Sequence, residues 1–275
     1  AARTGESLRQ DEWRTELLAT GIRGKSGQRI AFARLEPLGG TRWLHARGET
    51  ADDDPKQVAV SFGPEHAAVD ARQVEMALKE AQRLVPRPEI LVFAAFQFDP
   101  EAAKDIDETN WPGVTLLKVQ MNTDLQTDDL KKKRSSNESF WLIGQPDVTL
   151  NLITEGPEAG TILLSINGFD YYDTRKGTVD GGGPEKIAMW MLDTDYDGRS
   201  LFPKQVFFPM AGKDDGWAKL QKSLKAELDE EKIEAYRGTV SLPFKPGKKR
   251  RIAVKIIDDR GIESIVEREL DVPGA

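Results

Sequence analysis

The sequence contains no cysteine, only two histidines and no Pro-Pro pair among its 15 prolines. Without cysteine there can be no disulfide, thiol nucleophile or cysteine-bound zinc. His45 and His66 are too few for a histidine-rich metal site. The longest apolar runs are strand-sized and interrupted by polar residues, so we expect no bilayer-spanning segment and no membrane partner. No G-x-G-x-x-G follows a predicted strand, which disfavours a dinucleotide-binding fold.

The charge balance excludes a surface that is basic throughout. A net charge of −7 and a pI near 5.2 mean that any DNA contact must come from local basic patches. The first patch consists of Lys131, Lys132, Lys133 and Arg134, followed by Asn137 and Trp141. It combines phosphate-binding cations with a polar and a stacking side chain, so these residues are the candidate DNA contact. The second patch, residues 248–251, is interpreted as a solvated hairpin turn.

A length of 275 residues favours two domains. We predict an N-terminal helix and linker over 1–26, an α/β domain over 27–145 and an all-β domain over 146–275. The first residue is alanine and the first turns are polar. We therefore expect a piece of a longer protein, whose activity can belong to a domain outside it.

Within 41–125 the apolar periodicity alternates between strands and helices. The predicted strands are Arg42–Gly48, Val58–Phe62, Ile90–Phe98 and Val114–Met121, and the predicted helices are Ala67–Val85 and Pro100–Glu108. Asp99 should cap the second helix with its side chain, since proline follows at the first turn. Right-handed crossovers make the last strand pairs parallel, so the region predicts a three-layer α/β unit.

This order resembles the PD-(D/E)xK restriction-endonuclease-like fold over residues 28–125. In that family an acid in one strand, and a glutamate or glutamine two residues before a lysine in the next, hold Mg²⁺ and activate water. Here Ser61 occupies the position of that glutamate or glutamine, and Gly63 occupies the position of the lysine. Glu49 and Glu65 are the nearest carboxylates, and neither has a lysine at the needed offset. We expect no cleavage. An active metal-dependent nuclease and an α/β domain unrelated to nucleases are the alternatives.

From Asp147 onward apolar residues mostly recur at every second position, and turns rich in glycine, proline and aspartate separate these stretches. Seven strands are predicted: Val148–Ile153, Thr161–Phe169, Ile187–Asp193, Gln205–Phe208, Thr239–Phe244, Arg251–Asp258 and Glu263–Val272. They predict an immunoglobulin-like β-sandwich. One amphipathic helix, Asp214–Tyr236, is inserted and is expected to dock on the sandwich.

An acidic loop in this half carries the first part of a calcium-binding pattern: Asp193, Asp195 and Asp197, followed by Gly198. Lys204 occupies the twelfth position, where an EF-hand needs a bidentate glutamate. We therefore do not expect an EF-hand. The two interpretations left are a looser Ca²⁺ site and a tight acidic turn.

Five stretches together resemble the C-terminal region of bacterial site-specific DNA methyltransferases of type III restriction-modification systems, adenine-specific enzymes of the N4/N6 type. They are VSFGPEHAAVDARQVEMAL (Val60–Leu78), FAAFQFDPEAAKDIDETNWPG (Phe93–Gly113), KKKRSSNESFWLIGQPDV (Lys131–Val148), MWMLDTDYDGRSLFPKQVFFPM (Met189–Met210) and KIIDDRGIES (Lys255–Ser264). The resemblance spans most of the chain.

The resemblance implies a cytoplasmic parent enzyme that uses S-adenosylmethionine to methylate a base turned out of the stack. The family's D/N/S-P-P-Y/F tetrapeptide and glycine-containing cofactor loop are absent from this chain, so no catalytic residue or cofactor is assigned to it. We expect a non-catalytic part that engages DNA beside the methyltransferase domain of the same protein and a restriction or helicase subunit. The alternative is a protein-docking module without DNA contact, favoured by the acidic pI and by Phe207 and Phe208.

Overall fold

The structure is a computed structural model, which describes residues 2–24, 28–126, 139–173, 178–209 and 236–270. Side chains are described outside 2–7 and 171–182. The chain divides into two units, 1–143 with 171–180 and 144–170 with 181–275. The predicted helix Asp214–Tyr236 lies, except for Tyr236, outside the described residues. None of the described helices is long and apolar enough to cross a membrane.

The described residues of 1–143 in the first unit form three α-helices and eight strands. In chain order they are α1 (Ala2–Thr20), β1 (Ile22–Arg23), β2 (Arg29–Ile30), β3 (Phe32–Pro37), β4 (Ala46–Thr50), β5 (Gln57–Phe62), α2 (Ala71–Ala81), β6 (Ile90–Ala95), α3 (Pro100–Glu108), β7 (Thr115–Met121) and β8 (Phe140–Leu142). They form one sheet in the order β2-β1-β8-β7-β6-β5-β4-β3. The pairs β5–β6 and β6–β7 are parallel, as predicted, and β3–β4–β5 is an antiparallel meander.

Helices cover both faces of this sheet. Alternate residues of β6 point to opposite faces, since Ile90, Val92 and Ala94 join the core beneath α1. The residues between them join the core beneath α2 and α3. Every residue of β6 is therefore buried, as expected for a parallel strand covered on two sides. The predicted α/β class of this half is confirmed.

Helix α2 is shorter than the predicted Ala67–Val85. It begins after Asp70, whose side chain accepts a hydrogen bond from the Gln73 N–H. Val69 pairs with Phe98 as an isolated parallel bridge, so the chain before the cap is extended. The prediction for Asp99 was wrong in one respect, because this residue precedes α3 but makes no side-chain capping bond. Burial raises its pKa, and nearby carboxylates add to the effect.

The predicted strand Arg42–Gly48 is displaced, since β4 begins only at Ala46. The Glu80 carboxylate, on α2, accepts hydrogen bonds of 2.8–2.9 Å from the backbone N–H groups of residues 42, 43 and 44. Those donors are therefore not available to a neighbouring strand. A side chain 36 residues away in sequence sets where the strand starts.

Strand β3 is the outer strand at one edge of the sheet. The Arg14 side chain, on α1, donates a 2.9 Å hydrogen bond to the Leu35 carbonyl. Pro37 ends the strand without an N–H group.

From residue 144 onward the described strands are β9 (Gln145–Leu152), β10 (Ile162–Asp173), β11 (Thr178–Gly182), β12 (Ile187–Asp193), β13 (Gln205–Phe207), β14 (Arg251–Asp258) and β15 (Glu263–Glu269). They form two sheets, β11-β10-β9 and β13-β12-β14-β15. The pairs β9–β10, β12–β13, β12–β14 and β14–β15 are antiparallel. The predicted β-rich class of this half is confirmed for the described residues.

The predicted strand Thr239–Phe244 was wrong, because the segment makes only isolated bridges at Val240 and Phe244. Backbone hydrogen bonds join residues 239, 241 and 244 to β10, and side chains take the place of other ladder bonds. The Ser241 hydroxyl accepts from the Leu164 N–H at 2.9 Å. The Gln205 amide both accepts from the Leu242 N–H and donates to the Leu242 carbonyl. Strand β11, by contrast, was not predicted.

His45 shows how tightly the first unit holds the end of β5. Its Nδ1 accepts a 2.9 Å hydrogen bond from the Phe62 N–H, so the ring proton lies on Nε2. Burial lowers the pKa of His45 to about 4, against the weaker raising effect of a hydrogen bond to Arg42. Protonation would replace the acceptor at Nδ1 by a donor and break the bond to Phe62.

We expect the first unit to lose stability as the pH falls from 6.5 towards 4. The depressed folded pKa means that the unfolded chain binds more protons in this window, so unfolding becomes easier by about 2 kcal/mol between pH 7.5 and 5. Urea unfolding followed by tryptophan fluorescence measures it. In His45→Asn, whose amide oxygen can accept the same bond, this part of the pH dependence should vanish. The exposed His66→Asn is the control, and equal pH profiles for the two variants would contradict the assignment.

Candidate functional site

The end of β5 holds the two positions at which a nuclease of the resembling family would carry its glutamate and lysine. The Ser61 hydroxyl is buried and accepts a 3.1 Å hydrogen bond from the Gln73 side-chain amide, on α2. The same amide donates to the Phe62 carbonyl at 2.9 Å. This part of the strand is therefore tied to α2 by neutral hydrogen bonds, with no carboxylate among them.

Gly63 continues the ladder, since its N–H donates to the Ala94 carbonyl at 2.8 Å. A Cβ atom at this position would lie 2.6 Å from Ala95 Cβ and 2.8 Å from Val69 Cγ2. Such distances are closer than packed carbon atoms tolerate. The backbone here approaches its neighbours too closely for any side chain, and a lysine could be accommodated only by moving the strand or the Val69 segment.

The two nearest carboxylates are engaged by arginines of different elements. Glu49, on β4, lies 3.8 Å from Arg34 on β3. Glu65 follows β5 and lies 3.6 Å from Arg9 on α1, and 3.9 Å from the exposed imidazole of His66. Across the described ranges, no group of three or more carboxylate or imidazole side chains could hold a metal ion.

We predict that Gly63→Ala lowers the free energy of unfolding by about 1–3 kcal/mol, the usual cost of overpacking. Denaturant unfolding measures the loss. Gly39→Ala is the matched control, because nothing lies within 4 Å of a Cβ built there. If Gly63→Ala were as stable as this control, the space at the end of β5 would be larger than the structure indicates.

The described residues that flank the first basic run, Gln126 and Ser139, lie at the carboxyl ends of the parallel strands. Lys131, Lys132, Lys133, Arg134 and Asn137 lie outside the described residues, between Gln126 and Ser139. Gln126 donates from its amide to the Glu65 carbonyl at 2.5 Å and accepts from Arg9 at 3.5 Å. The indole of Trp13 donates to the Leu125 carbonyl at 3.4 Å.

Ser139, which precedes β8 on the other side of the basic run, is also fixed by hydrogen bonds. Its hydroxyl donates a 2.6 Å hydrogen bond to the Glu16 carboxylate, on α1, and its carbonyl accepts from the Asn122 N–H at 2.9 Å. Both ends of the basic segment are therefore attached to α1 and to the edge where β5, β6 and β7 end. In open α/β sheets this edge is the usual location of ligands.

Trp141 is the one residue of the candidate DNA contact that the structure describes. It lies on β8 and is half-buried, directly opposite Arg23 of β1 and Gln120 of β7. The Arg23 guanidinium lies over the indole ring, 4.8 Å from its centroid. This cation–π contact places a positive charge beside the predicted stacking residue.

The described part of this sheet edge is acidic. Glu65 follows β5, Asp99 follows β6 and Asp124 follows β7, and Asp70 caps α2 beside them. Carboxylates repel phosphates, so such an edge would not attract DNA by itself. Any attraction has to come from the basic run attached at Gln126 and Ser139.

The acidic loop of the second unit uses its carboxylates as backbone acceptors. Asp193 accepts from the N–H groups of residues 195 and 202, at 3.0 and 2.8 Å. Asp195 accepts from the Lys249 N–H at 2.6 Å. Asp197 accepts from residues 199 and 200, and these hydrogen bonds lower its pKa. The geometry is that of a tight turn, and the Ca²⁺ interpretation stays an untested prediction.

Sequence reasoning missed Arg9, Glu16 and Gln73, which hold the site from two helices. For Gln73 a signal was present, because it lies one turn before Ala77 on the apolar face of α2. A polar residue on such a face needs a buried partner. No comparable signal marks Arg9 or Glu16, because their partners are brought close only by the tertiary fold.

No protein-family model matches this chain, and comparisons with curated proteins and with solved structures find no significant match.

Proposed function

We propose that this chain is a non-catalytic, DNA-engaging and assembly region of a site-specific DNA methyltransferase of the type III restriction-modification kind. The single observation that carries the proposal is that Gln126 and Ser139, the described residues on either side of the stretch that contains Lys131–Arg134, are hydrogen-bonded at the carboxyl edge of the α/β sheet. The family resemblance of the five sequence stretches supplies the rest. S-adenosylmethionine would be used by a methyltransferase domain outside this chain, in the cytoplasm.

We further propose that the first unit is a restriction-endonuclease-like domain and the second an immunoglobulin-like sandwich. Support for the first comes from the order α1-β3-β4-β5-α2-β6, in which an antiparallel meander leads through a helix into a parallel strand. Support for the second comes from the antiparallel pairs β9–β10, β12–β13, β12–β14 and β14–β15, which belong to two separate sheets among the described residues from 144 onward.

The nuclease alternative is disfavoured by the local chemistry. Hydrolysis of a phosphodiester needs a metal ion, ligands that converge on it and a group that activates water. A buried serine and a glycine without space for a side chain occupy the decisive positions. A domain of this shape would retain the capacity to lie against a duplex without cutting it.

Replacing Lys131, Lys132, Lys133 and Arg134 by alanine should weaken duplex binding and flatten its dependence on salt. Each lost phosphate contact removes about 0.9 from the slope of log K against log salt, so four contacts remove roughly 3–4. Fluorescence anisotropy with a labelled duplex at several salt concentrations measures the slope.

The matched control replaces four exposed lysines of the second unit, Lys204, Lys245, Lys248 and Lys249, by alanine. Both variants change the net charge equally, so a difference between them reports position and not overall charge. Equal slopes in the first variant and the unchanged protein would remove the DNA proposal.

A second candidate function is docking of the restriction or helicase subunit by the second unit. Phe207 no longer supports it, because its ring is buried and stacked on Trp190 at 4.0 Å. The exposed apolar side chains of Phe202 and Leu242 do support it, at 62% and 37% exposure. Isolated exposed apolar residues are common, so their involvement needs a direct test.

If docking is the function, Phe202→Ser combined with Leu242→Ser should abolish co-purification of the restriction subunit and leave the salt slope for DNA unchanged. Removing apolar anchors from an interface typically costs more than about 1 kcal/mol each. The control is Leu8→Ser in the first unit, which is 62% exposed. Retained co-purification in the double variant would contradict the docking candidate.

A further inference from the structure

A groove of about 270 Å³ opens at the end of the sheet opposite to Gln126 and Ser139. It lies where β5 begins, between the outer strands β3 and β4 and the loop that follows α2. One side is polar and is lined by Arg34, Arg47 and Gln57; the other is apolar and is lined by Leu84, Val85 and Pro86. We call it the amino-end groove.

The polar side offers hydrogen-bond donors that the protein does not use. Arg47 is exposed and stands opposite Glu36 in the strand register. Over the described ranges it makes no ion pair or side-chain hydrogen bond. The side-chain amide of Gln57 is also without a hydrogen-bond partner in that part of the chain. These two side chains come from neighbouring strands, so a ligand in the groove could reach both.

The acceptors of the groove are already occupied. Arg34 lies 3.4 Å from Glu36 and 3.8 Å from Glu49, so one guanidinium serves both carboxylates. The two glutamates are balanced in formal charge by Arg34 and Arg47, and of these two arginines Arg47 alone is left to meet an anion. One guanidinium does not offset a phosphate dianion or a run of backbone phosphates, whereas a single carboxylate can meet it in a bidentate pair.

The apolar side of the groove indicates which kind of group lies beside the carboxylate of the ligand. Val85 is 86% exposed, the highest value among the large apolar side chains described, and Pro86 beside it is exposed as well. An aliphatic group that covers them would remove apolar surface from water. The two sides of the groove thus require an acidic and an aliphatic group next to each other.

We propose that the amino-end groove binds an extended segment of a partner protein in which an acidic side chain lies beside an aliphatic one. Arg47 and Gln57 bind the carboxylate, and Val85 and Pro86 pack against the aliphatic side chain.

The test uses the peptide acetyl-Gly-Val-Glu-Val-Gly-amide and the same peptide with glutamine in place of glutamate, titrated into the ¹⁵N-labelled chain and followed by NMR. Saturable shifts at Gly48, Gln57 and Val85 are expected, with a dissociation constant in the range of about 0.1–10 mM, typical of a short peptide. The glutamine peptide should bind at least about fivefold more weakly, because it loses the charge-assisted bonds.

Variants separate the two sides of the groove. Arg47→Gln should abolish the preference for the glutamate peptide, and Val85→Ser should weaken both peptides about equally. Arg83→Gln is the control, because Arg83 is exposed near the same helix end and does not line the groove. Amide spectra of the free variants report whether each is folded.

Three outcomes would overturn the proposal. The first is the absence of saturable shifts with either peptide up to about 20 mM, a concentration that would detect even very weak affinity. The second is stronger binding of inorganic phosphate than of the glutamate peptide, which would make the groove an anion site. The third is that the glutamine peptide with a free C-terminal carboxylate binds more strongly than the amidated glutamate peptide. That result would make the occupant a chain terminus.

Discussion

The burial of β6 on both faces is the constraint on which the first unit depends. Residues 90–95 have at most 2% of their surface exposed and pair in parallel with β5 and β7. Burying the isoleucine, leucine, valine and phenylalanine side chains of this strand stabilises the fold by roughly 1.5–3 kcal/mol each. Because β6 fixes its neighbours, it also fixes the two ends of the sheet. Gln126 and Ser139, which flank the basic run, lie at one end, and the amino-end groove opens at the other.

Much of this architecture could be predicted from periodicity, because long elements carry their own signal. The strand Ile187–Asp193 and the strand Arg251–Asp258 have the predicted bounds. Errors arose where a distant side chain replaced a backbone partner. Glu80 captures the N–H groups that Arg42–Gly48 needed to start as a strand, and Gln205 does the same within Thr239–Phe244. Local sequence contains no information about such partners.

The charged residues of the candidate site could be predicted from the sequence, but the tertiary contacts around them could not. A run of four basic residues is visible in any sequence, and so is the glycine in place of a catalytic lysine. That Gly63 leaves no space for a side chain depends on Val69 and Ala95, which approach it only in the folded sheet. Trp141 was chosen as a stacking residue, yet the arginine over its ring comes from β1, a two-residue strand too short to be recognised from periodicity.

The Arg14 side chain on the Leu35 carbonyl has a consequence for how copies of this protein meet. An outer strand with unpaired backbone groups is a template for edge-to-edge self-association and fibre growth. At β3 the arginine occupies an acceptor and Pro37 removes a donor, so a second molecule finds an incomplete ladder there. At the other edge β2 is only two residues long. Edge-to-edge growth through the large sheet is thus obstructed at both of its outer strands.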